Sequence, residues 1–145
     1  MYKRQILFNP IAVTEIDHPG KLAKMNIPHD KMWGYRPEGL GRIIRRIYNW
    51  YKKPIIITEN GICSDDPAKR IQCLKDYLSV CHQLIEEGIP LKGYMHWSTW
   101  DNHEWHLGPT YRFGLVEVNF QTMERKMTAA GDFYNKLTQE NQIVV

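Results

Sequence analysis

The sequence predicts an α/β fold whose strands run parallel. Ile55-Ile56-Ile57 is a run of three β-branched residues that reads as a buried strand, and Pro54 precedes it, where the missing N–H does least harm. Leu91 to Trp97 is a second apolar run, and the stretch between the two holds one helical pattern. Strand, helix and strand at this spacing make a βαβ unit with parallel strands and a right-handed crossover. Each run also ends in polar residues, so both deliver them to one edge, the C-terminal edge where catalytic groups sit in (β/α) folds.

The opening segment, residues 1–35, is irregular. Pro10, Pro19-Gly20 and Pro28 interrupt every periodic run, leaving Ile11, Val13 and Ile16 as a short candidate strand. So long a loop-like stretch implies that it packs against something else. A helix then starts at Pro37, with Leu40, Ile43, Ile44, Ile47 and Tyr51 on its apolar side. Arg42, Arg45 and Arg46 fill the other positions; a solvated face explains them better than a phosphate site. Asp66 is placed to cap the next helix, with Pro67 in its first turn and Gly88 just past its end. Ile71, Leu74, Leu78, Cys81 and Ile85 form its stripe. After Trp97 the pattern breaks. Ser98 to Arg112 reads as a long functional loop, Phe113 to Phe120 as a β-segment and Gln121 to Lys126 as a turn. A last helix runs from about Thr128, with Ala130, Phe133, Tyr134 and Leu137 on one side.

Composition narrows the class. The 145 residues suffice for one domain with a real core. A net charge of +3 from scattered lysines and arginines does not call for nucleic acid or a membrane surface. No apolar run approaches the roughly 20 residues that span a bilayer. Met1-Tyr2-Lys3-Arg4 has no apolar stretch after it that would make a secretory signal. Cys63, Cys73 and Cys81 are an odd count without a CxxC, which fits reduced thiols in a cytoplasmic protein.

The shared strand edge carries the chemistry. The first strand brings Glu59 and Asn60; the second brings Trp97, and its loop brings Asp101, Asn102, Glu104 and Trp105. Carboxylates, an amide and indole faces suit a sugar, because carboxylates accept pairs of hydroxyl hydrogens and an apolar ring face lies on an indole. Tryptophans of a plain core do not usually alternate with Asp, Asn, His and Glu. His103-Glu104-Trp105-His106 is not a zinc motif, since its histidines are three apart rather than four, and no metal or cofactor is expected. Acids among the aromatics argue against single-stranded nucleic acid, and Ser98 lacks a G-x-S-x-G setting.

Four stretches together resemble the C-terminal part of a family-1 β-glycosidase, the retaining β-glucosidase and β-galactosidase group. They are Tyr35-Arg36-Pro37-Glu38-Gly39-Leu40, Ile57-Thr58-Glu59-Asn60-Gly61, Trp97-Ser98-Thr99-Trp100-Asp101-Asn102-His103-Glu104-Trp105 and Tyr111-Arg112-Phe113-Gly114-Leu115-Val116. The resemblance covers about Trp33 to Phe120. It implies a partial (β/α)₈ TIM barrel, its C-terminal strands and helices only, with residues 1–145 one segment and 36–140 the last βα units. It implies that Glu59 is the nucleophile at the tip of the seventh strand. Trp97 and Trp105 would then lie in the glycone subsite, with Asn60 also contacting substrate, Glu104 binding sugar hydroxyls and Phe113 lining the pocket. An acid at Glu104 favours an unphosphorylated glucoside, galactoside or fucoside. Trp100, His103 and Pro109 depart from the usual residues at loop positions that tune specificity.

The second carboxyl group is missing. Retaining hydrolysis needs two, about 5–5.5 Å apart. In this family the acid/base stands in an Asn-Glu-Pro motif, and no Asn-Glu-Pro occurs here. A complete barrel takes about 250 residues. The resemblance therefore implies a piece of such an enzyme, weakly active or inactive alone, with sheet edges and core faces uncovered. Two alternatives remain: a non-catalytic carbohydrate-binding remnant, or a half-barrel subunit completed by a chain bearing the N-terminal half.

Overall fold

The computed structural model describes residues 19–26 and 28–141. The candidate strand at Ile11, Val13 and Ile16 and the tail 142–145 lie outside the described residues. Among those described, the βαβ unit forms as expected. Strand β1, Ile55–Asn60, pairs in parallel with β2, Leu91–His96, from Ile55 opposite Leu91 to Asn60 opposite His96. The helix between them, which becomes α3 in the series α1 (Pro19–Lys24), α2 (Pro37–Tyr51), α3 (Pro67–Glu86) and α4 (Ala129–Glu140), begins and ends where the caps predict. The Asp66 carboxylate accepts from the Ala68 N–H at 2.9 Å, and Gly88 takes a left-handed φ of 80° just past the C-terminus. Asp66→Ala should cost about 1 kcal/mol, seen as a lower urea midpoint with unchanged slope.

Helix α3 is the middle of a three-helix layer, and that changes its apolar face. Cys73, Tyr77, Cys81 and Leu84 turn toward Leu40 and Ile44 of α2 and Ile57 of β1. Leu74 and Leu78 meet Leu115 and Ala130 on the other side. One stripe was expected; two are buried, because α3 has a helix on each flank. Ile85, placed in the single stripe, packs in neither cluster and is half exposed near the end of the helix. On α2, Tyr48 rather than Tyr51 packs against the core, and Tyr51 is exposed. Ile44, Ile57 and Leu84 are almost fully enclosed, each contributing about 1.5–3 kcal/mol.

The strands are not buried on both faces, as the isoleucine run suggested. The helices cover one face only. Ile57 is 1% exposed, whereas its neighbour Ile56 is 47% exposed and Met95 of β2 is 54% exposed. Parallel sheets are ordinarily covered on both sides. Among the described residues β1 and β2 pair only with each other, so the outer edge of each is also open.

The C-terminal region holds a hairpin whose second strand the sequence hides. Strand β3, Val116–Val118, lies within the expected β-segment, but β4, Arg125–Met127, pairs antiparallel to it where a turn was expected to run on to Lys126. All three residues of β4 are exposed, so no alternation marks it. The turn is shorter, built on Asn119, whose side-chain oxygen accepts from the Gln121 N–H at 2.9 Å. Thr128 caps α4 by accepting from the Gly131 N–H at 3.1 Å.

The described part of the opening segment docks on the turn after β1. Buried Asp30 accepts from the N–H groups of Met32 (2.7 Å), Trp33 (2.6 Å) and Cys63 (2.8 Å). Among the described residues no helix is long and apolar enough to cross a membrane.

Candidate active site

Because β1 and β2 run the same way, their polar ends meet. The Trp97 N–H donates to the Asn60 carbonyl at 2.9 Å, extending the pairing past β2 and bringing the residue after Glu59 against Trp97. Glu59 is half-buried at the tip. Asn60 is 4% exposed, and its amide oxygen accepts from the Tyr94 hydroxyl at 2.8 Å. Asn60 thus ties the strand tip to the helical side of the sheet. Burial holds the Tyr94 phenol well above its usual pKa, so it stays a donor. Gly61 has no room for a side chain: a methyl group there would overlap the Trp97 carbonyl oxygen. The Trp97–Ser98 peptide is cis.

The loop after Trp97 is laid along residues 113–116. The Leu115 N–H donates to the Ser98 carbonyl at 2.8 Å, Val116 to Thr99 at 2.9 Å and Asp101 to the Val116 carbonyl at 3.0 Å. The Ser98 hydroxyl donates to the Trp100 carbonyl at 2.6 Å, which suits a loop anchor and not a nucleophile. A 3₁₀ stretch, Trp105–Thr110, breaks at Gly108. Glu104 is buried, and the Asn102 amide donates to its Oε2 at 2.9 Å. Trp97 is 36% exposed and Trp105 83% exposed, so both indoles reach solvent. Phe113 is 1% exposed and lies beneath this loop, with its carbonyl accepting from the Ser98 N–H at 3.3 Å.

Of the residues singled out in the sequence, Asn60 and Trp97 meet at one strand-end junction with Glu59 next to Asn60 in β1; Glu104 and Trp105 belong to the loop that leaves it, and Phe113 lies beneath that loop. Asp101 does not reach the rim. Its side chain is 1% exposed and pairs with Arg112 at 2.7 Å. Sequence reasoning also missed Arg70 of α3, buried and donating to the carbonyls of Phe113 (2.9 Å) and Gly114. Burial pulls the Arg70 pKa down and the Asp101 charge opposes it. The available signal was an arginine one position before Ile71 on a helix side that packs inward.

Elsewhere the candidate chemistry is thinner. Arg45 holds Glu87 through two hydrogen bonds of 2.6 and 2.5 Å, and Arg46 lies 4.5 Å over the Trp50 ring, so both face surface partners. The three cysteines are free and buried; burial pushes Cys63 up to about 11 and Cys81 up to about 12, leaving both as thiols near neutral pH. A cavity of about 430 Å³ behind the loop is lined by Arg70, Asp101, Arg112, Lys126 and Thr128 among others, and by none of Glu59, Trp97 or Glu104.

The model of glycosyl hydrolase family 1 matches residues 9–143. Beta-glucosidase A of Acetivibrio thermocellus is 42% identical over 122 residues, covering 77% of this chain and 27% of that protein. A beta-galactosidase of Sulfolobus acidocaldarius is 34% identical over 123 residues, covering 84% and 25%. The family 1 β-glucosidase of Thermotoga maritima superposes with a TM-score of 0.79 at 33% identity, over 83% of this chain and 30% of that one; it has also been solved with isofagomine lactam. The chain thus spans between a quarter and a third of the length of these relatives.

Proposed function

Since the chain belongs to glycosyl hydrolase family 1 and its βα units are part of a (β/α)₈ barrel, we propose that it carries the nucleophile half of a retaining β-glycosidase site. Glu59 attacks the anomeric carbon of a β-glucoside or related sugar, the glycosidic oxygen leaves, and water then releases the sugar from the glycosyl-enzyme. The observation that supports this reading is the junction at the strand ends, where Asn60, the residue after Glu59, accepts from the Trp97 N–H and the loop bearing Glu104 follows. Trp97 and Trp105 offer indole faces to the ring, and Glu104, already oriented by Asn102, accepts from sugar hydroxyls. Its charge repels a sugar phosphate, so the substrate is unphosphorylated.

The acid that protonates the leaving oxygen comes from a polypeptide segment outside these 145 residues, in the same or a second chain. The half-barrel arrangement is favoured by the open sheet face at Ile56 and Met95 and the open strand edges. Without that acid the chain turns over glycosides with poor leaving groups about 10²–10⁴-fold more slowly. Buried free thiols suit a reducing, cytoplasmic setting.

A dinitrophenyl 2-deoxy-2-fluoroglucoside tests this, because its leaving group departs without a proton. Intact mass should show a slow single adduct, mapped by peptide digestion to Glu59. A folded sample that binds glucose but forms no adduct would assign the chain to the binding-remnant class. A folded sample that does neither would overturn the reading for the chain alone.

A further inference from the structure

The loop bearing Trp97 and Glu104 converges on one buried carboxylate. Asp101 accepts from the Gly114 N–H at 2.9 Å, the Val118 N–H at 3.3 Å and the Arg112 guanidinium at 2.7 Å. Arg112 also donates to the Val118 carbonyl at 2.9 Å. Arg70 secures the same segment from α3 through the carbonyls of Phe113 and Gly114. Among the described residues, the donors to the Asp101 side chain all belong to residues 112–118, while Asp101 itself belongs to the loop. Ser98, Asn102 and Glu104 form the outward continuation. Asn102 Oδ1 lies 3.4 Å from the Ser98 hydroxyl, and its amide donates to Glu104 at 2.9 Å.

We propose that Asp101 is a positioning residue: its negative charge, gathered by Arg112 and two backbone amides, fixes residues 98–104 on residues 112–118 and so sets Trp97 and Glu104 relative to Glu59. The proposal rests on the reading of Glu59 and Glu104 given above. Charge matters as well as shape. A carboxylate offers acceptor sites on both oxygens, but asparagine offers one oxygen and an NH₂ group that must face donors. With the site 1% exposed, water cannot repair the mismatch. Glu104 is only three residues away, and its partner Asn102 adjoins Asp101, so a loosened anchor reaches the carboxylate that meets the sugar.

Hydrogen exchange on the full 145-residue chain tests the anchor directly. Asp101→Asn should speed exchange of the Asp101, Glu104, Leu115 and Val116 amides at least tenfold, with amides from Cys73 to Leu84 of α3 unchanged. Unchanged rates at the loop amides, or equal acceleration through α3, would overturn the proposal. If Asp101→Asn does not fold, Arg112→Met removes the guanidinium but leaves both backbone donors, and the same four amides decide. Labelling by the fluoroglucoside gives the second readout. Asp101→Asn and Glu104→Gln should each slow adduct formation, and the double variant should be no slower than the slower single one. Additive losses would mean that Asp101 does not act through Glu104. Failure of the wild-type chain to label would defeat the proposed function, and the exchange data would still decide the anchor.

Discussion

Glu59→Gln should eliminate the glycosyl-enzyme, with labelling down at least about 10⁴-fold against the unmodified chain and circular dichroism unchanged. The amide keeps the shape of the carboxylate but lacks the charge and nucleophilic oxygen that attack the anomeric carbon. The fold should survive because β1 is held by other groups. Ile57 sits in the core and Asn60 is tied to Tyr94 and Trp97, whereas Glu59 is half-buried at the tip. Glu59→Ala should lose labelling equally, yet leave space in which azide can attack an activated glucoside from the same side. An α-glycosyl azide as product would place the missing group on the face opposite the leaving group. Equal labelling by wild type and Glu59→Gln would instead move the nucleophile elsewhere.

The largest effect on stability is expected at Gly114. A methyl group there would overlap backbone atoms of Trp100, Asp101 and Val116. None of the three can swing aside like a side chain. The Asp101 N–H is bonded to the Val116 carbonyl at 3.0 Å, and the Gly114 N–H to the Asp101 carboxylate at 2.9 Å. Accommodating the methyl requires the two segments to part, with loss of the buried contacts of Asp101 and the packing of Phe113. Gly114→Ala should therefore destabilise the chain by about 3 kcal/mol or more, read as a fall in urea midpoint several times that of Asp66→Ala. A change below about 1 kcal/mol would show that the ladder yields easily.

The parts legible in the sequence were those whose cause is local. Pro37, Asp66-Pro67, Gly88 and Thr128 mark helix ends because capping is a matter of neighbouring residues. The strand at Ile55 announces itself through β-branched side chains, and Glu59 follows it by position alone. The features not legible depend on partners distant in the chain. Strand β4 exists because β3 lies beside it, not because Arg125-Lys126-Met127 has strand character. The second stripe of α3 depends on α4 being docked there. Asp101 reads as one more polar group in a polar loop, and only the approach of residues 112–118 turns it inward. The contact of Asn60 was hidden for a similar reason: its amide oxygen accepts from Tyr94, which lies 34 residues further on, on the neighbouring strand.

The open face of the sheet has a thermodynamic consequence. Ile56 and Met95 remain wet in this chain, and any surface that covers them binds the folded form in preference to the unfolded one. Folding and association are then linked equilibria. A melting temperature measured on the chain alone describes one point on a curve, rising with the concentration of whatever molecule covers that face.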